Sequence, residues 1–144
     1  MSGKVFWDTN LLIYWIEQTA PWYVKVDALV RWQHARSAKT VTSSLSLAEL
    51  LVRPVSEGEH VLADHYWKLI TQMGCLSFGP AEAMRFAEIR SSHPEVKPPD
   101  AIQLACAAQA GVDLFLTNDE RLARVRVKGI AEIKSLAEWY ERQA

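Results

Sequence analysis

The sequence predicts an α/β fold: one domain over residues 1–144, with a parallel β-sheet flanked by α-helices on both faces. Three observations lead there. Short, β-prone apolar runs recur along the chain without the polar alternation of a sheet that faces water. Helix-length segments with an apolar stripe separate them, as crossovers between parallel strands require. No repeat, low-complexity tract or linker divides the 144 residues, and that length closes one core without staples.

The elements follow in order. Lys4-Val5-Phe6-Trp7 is apolar and β-prone and stops at Asp8-Thr9-Asn10, after which Leu11, Leu12, Tyr14, Trp15 and Ile16 form a helical cluster. Pro21 punctuates, and residues 22–36 read as a second helix with Trp22, Val26, Leu29 and Val30 on one stripe. Thr40-Val41-Thr42 is the next strand, and Ser43-Ser44 signals the start of a helix over 45–52 that Pro54 ends or bends. Residues 58–73 give an amphipathic helix with Val61, Leu62, His65, Leu69 and Ile70 inward. Gly74 closes it before a short buried strand at 75–78. Pro80 opens a helix to about Arg90, at a position where its missing donor costs nothing. A polar loop over 91–99 ends in Pro98-Pro99. Residues 101–110 then make the most uniformly apolar helix, capped by Gly111. Leu114-Phe115-Leu116-Thr117 is a strand, Asn118-Asp119 a helix start, and residues 129–133 the last strand before a helix over 135–142.

Composition narrows the function. The 49% hydrophobic and 23% charged fractions are those of a globular protein, and the net charge is −1. Proteins that hold nucleic acid by their overall field carry a large positive excess, so any such role here needs a local basic surface or bound cations. Cys75 and Cys106 have no metal-ligand spacing and read as small core residues; four scattered histidines make no zinc site. The N-terminal Met1-Ser2-Gly3-Lys4 segment lacks a secretion signal and no run is long enough to span a bilayer, so a cytoplasmic protein without membrane contact is expected.

Four acids carry the chemistry. Asp8 ends the first strand and Asp119 lies just past the strand at 114–117; open parallel sheets bind ligands at that carboxyl edge. Asp100 opens an apolar helix, and Glu49 falls on the stripe of Leu45 and Val52. Two unit charges 4 Å apart repel by roughly 4 kcal/mol at an effective dielectric of 20. A cluster of four therefore persists through protonation, basic partners or hard cations. Oxygen donors without His or Cys suit Mg²⁺ or Mn²⁺, which activate water and stabilise the leaving oxygen of a phosphodiester. Each acid also has a local explanation: Asp8 and Asp100 as N-caps, Asp119 in a first turn capped by Asn118, and Glu49 paired with Arg53 four residues on. Three acids at helix starts beside strand ends favour the joint reading.

The runs around these acids resemble a known family. Phe6-Trp7-Asp8-Thr9-Asn10-Leu11-Leu12, Ser43-Ser44-Leu45-Ser46-Leu47-Ala48-Glu49-Leu50, Pro99-Asp100-Ala101-Ile102-Gln103-Leu104-Ala105 and Phe115-Leu116-Thr117-Asn118-Asp119 are similar to the four motifs of PIN domains, in order and spacing. The resemblance implies a parallel sheet between helices and an acidic Mg²⁺ or Mn²⁺ pocket that cleaves RNA. Asp8, Glu49, Asp100 and Asp119 would be the catalytic and metal-binding quartet, with Asp8 and Asp100 the direct ligands. Asn10, Thr117 and Asn118 would support them. At this size the chain resembles VapC-type toxins, which implies a cognate antitoxin and a homodimer. A PIN-fold RNA-processing nuclease outside such a pair, or a non-catalytic RNA- or protein-binding module, is the alternative. A haloacid-dehalogenase-type phosphatase would need an acid two residues after Asp8, where Asn10 stands. Trp7 is the one departure: it is bulkier than the small aliphatic residue expected before the first acid, and is expected to repack a sheet edge.

Among six tryptophans, Trp67 and Trp139 read as core, whereas Trp15, Trp22, Trp32 and Tyr23 suggest an apolar face for a partner, with core packing the alternative. Arg53, Lys97, Arg121 and Arg124 lie near the acids in sequence and are candidates for RNA phosphates.

Overall fold

A computed structural model describes residues 3–143; Met1 and Ser2, which belong to the N-terminal segment read for a secretion signal, and Ala144 lie outside them. Its elements are β1 (Lys4–Trp7), α1 (Thr9–Ile16), α2 (Tyr23–Ala35), β2 (Lys39–Ser43), α3 (Ser44–Ser56) and α4 (His60–Gln72). They continue with β3 (Cys75–Leu76), α5 (Pro80–Ser92), α6 (Pro98–Ala110), β4 (Leu114–Thr117), one 3₁₀ turn (Leu122–Arg124), β5 (Glu132–Ser135) and α7 (Leu136–Arg142). All pairings are parallel and the sheet order is β3-β2-β1-β4-β5. The chain moves outward from β1 to β3, then returns to its other side with β4. That reversal makes the β1/β4 carboxyl edge the crevice of the sheet.

Each face carries its own core. Phe6, Val41, Phe115 and Ile133 meet Leu104, Ala105 and Ala108 of α6 on one side, and Phe6 stacks on its register partner Phe115 at 4.9 Å. Val5, Trp7, Leu114 and Leu116 point the other way, onto Leu11, Leu29, Leu136 and Trp139. The alanines of α6 let backbones approach. A Cβ on Gly129, at φ 102°, would stand 2.7 Å from the Ala108 carbonyl oxygen, so glycine is required there. Gly111, at φ 64°, ends α6 in the left-handed conformation expected of it.

Several local expectations shift. Trp7 sits on a central strand, not a sheet edge; it is fully buried, and its indole donates to Gln33 at 2.7 Å, which satisfies the polar atom that burial would otherwise strand. Pro54 lies inside α3, where its buried ring offsets the one hydrogen bond it removes near the helix end. Pro98 and Pro99 form the first turn of α6, whose amides have no helical partner anyway, so Asp100 stands within that turn. Helix α4 packs mainly on α3 and edge strand β3, through a stripe reduced to Tyr66 and Ile70. Val61, Leu62, His65 and Trp67 consequently face outward, with Val61 87% and Trp67 52% exposed. The strand after α4 shrinks to two half-buried residues, with Phe78 outside it. Trp139 is core as expected, while Trp15, Trp22 and Trp32 pack part of their surface on the same core. No described helix is long and apolar enough to cross a membrane.

Candidate active site

Asp8 follows β1 directly and caps α1, because its extended backbone turns the carboxylate back onto the first helical amide. Oδ1 accepts from the Thr9 amide at 2.9 Å, and Oδ2 from the Thr117 hydroxyl at 2.8 Å. Thr117 ends β4, so this bond joins the two strands that flank the crevice. The same hydroxyl accepts from the Asp119 amide at 3.1 Å. Asp8 is buried, and burial pushes its pKa up to about 6. The bonds from Thr117 and Thr9 pull it down, and the charges of Asp100 and Glu49 push it up again.

Asp100, half-buried in the first turn of α6, is also raised, by burial first and then by Asp119; Lys97 opposes the rise and Glu49 adds to it. Asp100 thus links the four: it and Glu49 act on Asp8, while Asp119 and Glu49 act on Asp100. Among the described residues none of the four forms an ion pair. The Glu49–Arg53 pair, the local alternative for Glu49, does not form: Arg53 turns to Glu57 at 3.3 Å, and Glu49 accepts from the Thr9 hydroxyl at 2.7 Å. Glu49 is exposed, because the inward stripe of α3 is Ser46, Leu50 and Pro54, not that of Leu45 and Val52. Asp119 is exposed as well; its Oδ1 caps the 3₁₀ turn, accepting from the amides of Arg121 and Leu122 at 2.9 and 3.2 Å. It performs the capping expected of Asn118, whose amide donates to the Tyr14 hydroxyl at 2.9 Å and holds no carboxylate.

Two clefts meet at Asp100. One, of about 260 Å³, is bordered by Asp8, Asn10, Glu49 and Asp100; the other, of about 200 Å³, by Lys97, Asp100, Asp119 and Arg121. Among the described residues no three acids stand in place to grip one ion. Glu49 and Asp119 are turned onto Thr9 and onto backbone amides. The donor set nevertheless fits a hard cation: oxygen only, with no cationic side chain paired to it, and with a buried Asn10 Oδ1 that has no hydrogen-bond partner.

A family model of the PIN domain matches residues 5–128. The chain belongs to the PIN-domain family. Its fold is similar to several solved chains at low identity. A chain of FitAcB from Neisseria gonorrhoeae matches with a TM-score of 0.69 and 18% identity, over 92% of this chain and 98% of that one. A chain of VapBC2 from Rickettsia felis, solved with a DNA fragment from the promoter, gives 0.67 and 15% over 92% and 98%. One of VapBC-5 from Mycobacterium tuberculosis, described as a member of the VapBC family of toxin–antitoxin systems, gives 0.63 and 19% over the same shares. No curated protein matches the sequence.

This PIN domain also holds its acids through residues that sequence reading passes over. Gln103, 2% exposed within α6, donates to Ser46 Oγ at 2.7 Å and Thr9 Oγ1 at 3.1 Å, lies 3.5 Å from Asp8 Oδ1, and accepts from the Ser43 hydroxyl. Thr42 touches the Trp7 carbonyl and Ser46 Oγ at 2.9 and 2.8 Å. The available signal is an amide in the middle of the most apolar helix, since a buried polar group demands partners. Of the candidate cations, Lys97 and Arg121 border the second cleft and Arg53 a neighbouring one with Glu49, while Arg124 borders neither.

Proposed function

We propose that this PIN domain is a Mg²⁺- or Mn²⁺-dependent endoribonuclease and the toxin of a toxin–antitoxin pair, acting in the cytoplasm. One observation carries the reading: a buried carboxylate at the crevice of the sheet, destabilised by burial and by neighbouring acids, with no cationic side chain paired to it. Asp8 and Asp100 would hold the ion, with Glu49 and Asp119 completing the acidic ring. A bound ion would lower the pKa of water and stabilise charge on the scissile phosphate. The chain's residues do the positioning. Thr9 and Thr117 hold Asp8, and Thr9 orients Glu49. Asn10 offers its unpartnered oxygen to a donor in the cleft. Lys97 and Arg121, which border the second cleft, would take RNA phosphates; Arg53, on a neighbouring cleft with Glu49, and Arg124 are the further candidates.

The toxin reading is supported by the likeness to chains of VapBC and FitAB assemblies, one of them described as a toxin–antitoxin complex from Klebsiella pneumoniae. A cognate antitoxin and a second copy of the chain are the partners it implies. Cleavage of single-stranded RNA should require Mg²⁺ or Mn²⁺ and vanish in Asp8→Asn and Asp100→Asn. Turnover that persists in both variants, or in chelator, would remove the metal-site assignment, and no cleavage by the wild-type chain in Mg²⁺ or Mn²⁺ would remove the nuclease. Growth arrest on expression, relieved by the product of an adjacent gene, tests the toxin part separately.

A further inference from the structure

Four of the chain's 16 basic residues fall within the eight positions from Arg121 to Lys128, with no acid among them. Arg121 borders the cleft of Asp100 and Asp119. Arg126 and Lys128 open instead onto another cleft, of about 440 Å³, together with Arg85, His93 and a single acid, Glu88. The two clefts share a ridge. Val125 and Glu95 border the first, Arg126 and His93 the second, and His93 Nε2 lies 3.2 Å from the Arg126 carbonyl oxygen across it. Acids and basic cleft therefore lie along one continuous surface.

Both arginines are held by neutral acceptors, and neither they nor Lys128 pairs with a carboxylate, although Glu88 borders the cleft and Glu95 lies 3.9 Å from His93 Nδ1 on the ridge. Arg85 donates to Gln109 Oε1 at 3.2 Å and to the Lys128 carbonyl at 3.3 Å; Arg126 donates to the carbonyls of Ala123 and Val125 at 3.1 and 3.0 Å. Neutral acceptors fix the direction of each guanidinium without cancelling its charge, and each fork keeps further donors free. Among the described residues no carboxylate lies within 4.0 Å of Arg85, Arg126 or Lys128, whereas Arg31, Arg53, Lys68 and Lys134 each have one. For a chain of net charge −1, such a local group is the form that polyanion binding has to take.

We infer that the Arg85–Arg126–Lys128 cleft is a phosphate-binding channel that receives the single-stranded RNA extending beyond the scissile bond. The inference rests on the nuclease reading above. It is tested with the full chain in Mg²⁺ on single-stranded RNAs of about 4 and about 12 nucleotides, lengths that bracket a short and a long binding track. Arg85→Gln/Lys128→Gln alters one half-buried and one exposed side chain, both outside the acid site. It should raise KM for the long RNA about tenfold, as expected for two lost charge-assisted contacts, and leave kcat and the short RNA unchanged. The salt dependence of log KM on the long RNA should flatten by about 1.4, the slope carried by two phosphate contacts on a single strand. An unchanged KM for the long RNA in the double variant would overturn the channel while leaving the nuclease intact. Polyglutamate competing as well as an RNA of equal charge would also overturn it, assigning the cleft to an acidic polypeptide. Absence of cleavage of either RNA by the wild-type chain would fell the nuclease reading, and the channel with it.

Discussion

Asp8 and Asp119 stand at the carboxyl ends of two neighbouring strands, and each caps the helical turn after it, yet their surroundings differ. Asp8 is 8% exposed, held by an amide on one oxygen and a hydroxyl on the other; Asp119 is exposed and spends one oxygen on its own turn. Capping alone needs no burial. At Asp8 the fold therefore carries a charge it must desolvate, while at Asp119 the same group stays in water, stabilises a turn and lends its field to Asp100. A carboxylate whose ionised form opposes folding is one that an external cation can reward.

The comparison is broken or sharpened by measurement, the largest effect first. Asp8→Asn should lower the rate of RNA cleavage by at least about a hundredfold, and Asp119→Asn by less, near tenfold. Equal losses would erase the distinction. In metal-free stability the two should part in sign. With a pKa of about 6 in the fold against the ordinary 3.8 of an unfolded chain, Asp8 is protonated in both states at low pH and costs nothing. As pH rises from near 4 through 6, the unfolded chain releases this proton first, and stability is lost. Above pH 6 the loss is complete, on the order of 3 kcal/mol. Asp8→Asn should therefore melt roughly 5–10 °C above wild type at pH 8, with the gap closing near pH 4. Asp119→Ala should instead melt lower, by the roughly 1 kcal/mol of a lost cap. A wild-type chain more stable than Asp8→Asn at pH 8 would contradict the buried-charge account.

Mg²⁺ at about a hundred times its Kd should stabilise the wild type by about 2.7 kcal/mol and leave Asp8→Asn nearly unmoved, read as a thermal shift. Thr117→Val removes the hydroxyl that joins both strand ends. Since that bond lowers the Asp8 pKa, the variant should move the acidic limb of the pH–rate profile upward and slow cleavage about tenfold. The smallest effect separates the cations: Lys97→Ala, beside Asp100, should raise KM a few-fold, whereas Arg53→Ala, already paired with Glu57 at the surface, should barely change it.

Much of this is legible along the chain. The strand-then-acid junctions at Asp8 and Asp119, the start of α3 at Ser43-Ser44 and the left-handed Gly111 are readable because local chemistry decides them. Helix α4 misleads because its sequence offers more apolar residues than its main neighbours, α3 and β3, can cover, so periodicity nominates Val61 and Leu62 where packing buries Tyr66 and Ile70. Glu49 misleads for the related reason that an apolar stripe does not say which side the sheet occupies. Gln103 shows along the chain only as an amide within an apolar helix; what it holds is hidden because Ser46 and Thr9 lie 57 and 94 positions away.

By itself the sequence determined most of the elements in their order, the parallel sheet they build and the carboxyl edge at which Asp8 and Asp119 stand, since propensity, capping and hydrophobic period act over a few residues. The helix start read at Asn118-Asp119 is a single 3₁₀ turn, and the last strand begins at Glu132 rather than at 129. Only the tertiary structure decided which acid is buried, which is exposed, and which hydroxyls and amides grip them. Desolvation and hydrogen bonding depend on neighbours brought from distant parts of the chain, and no local pattern encodes them.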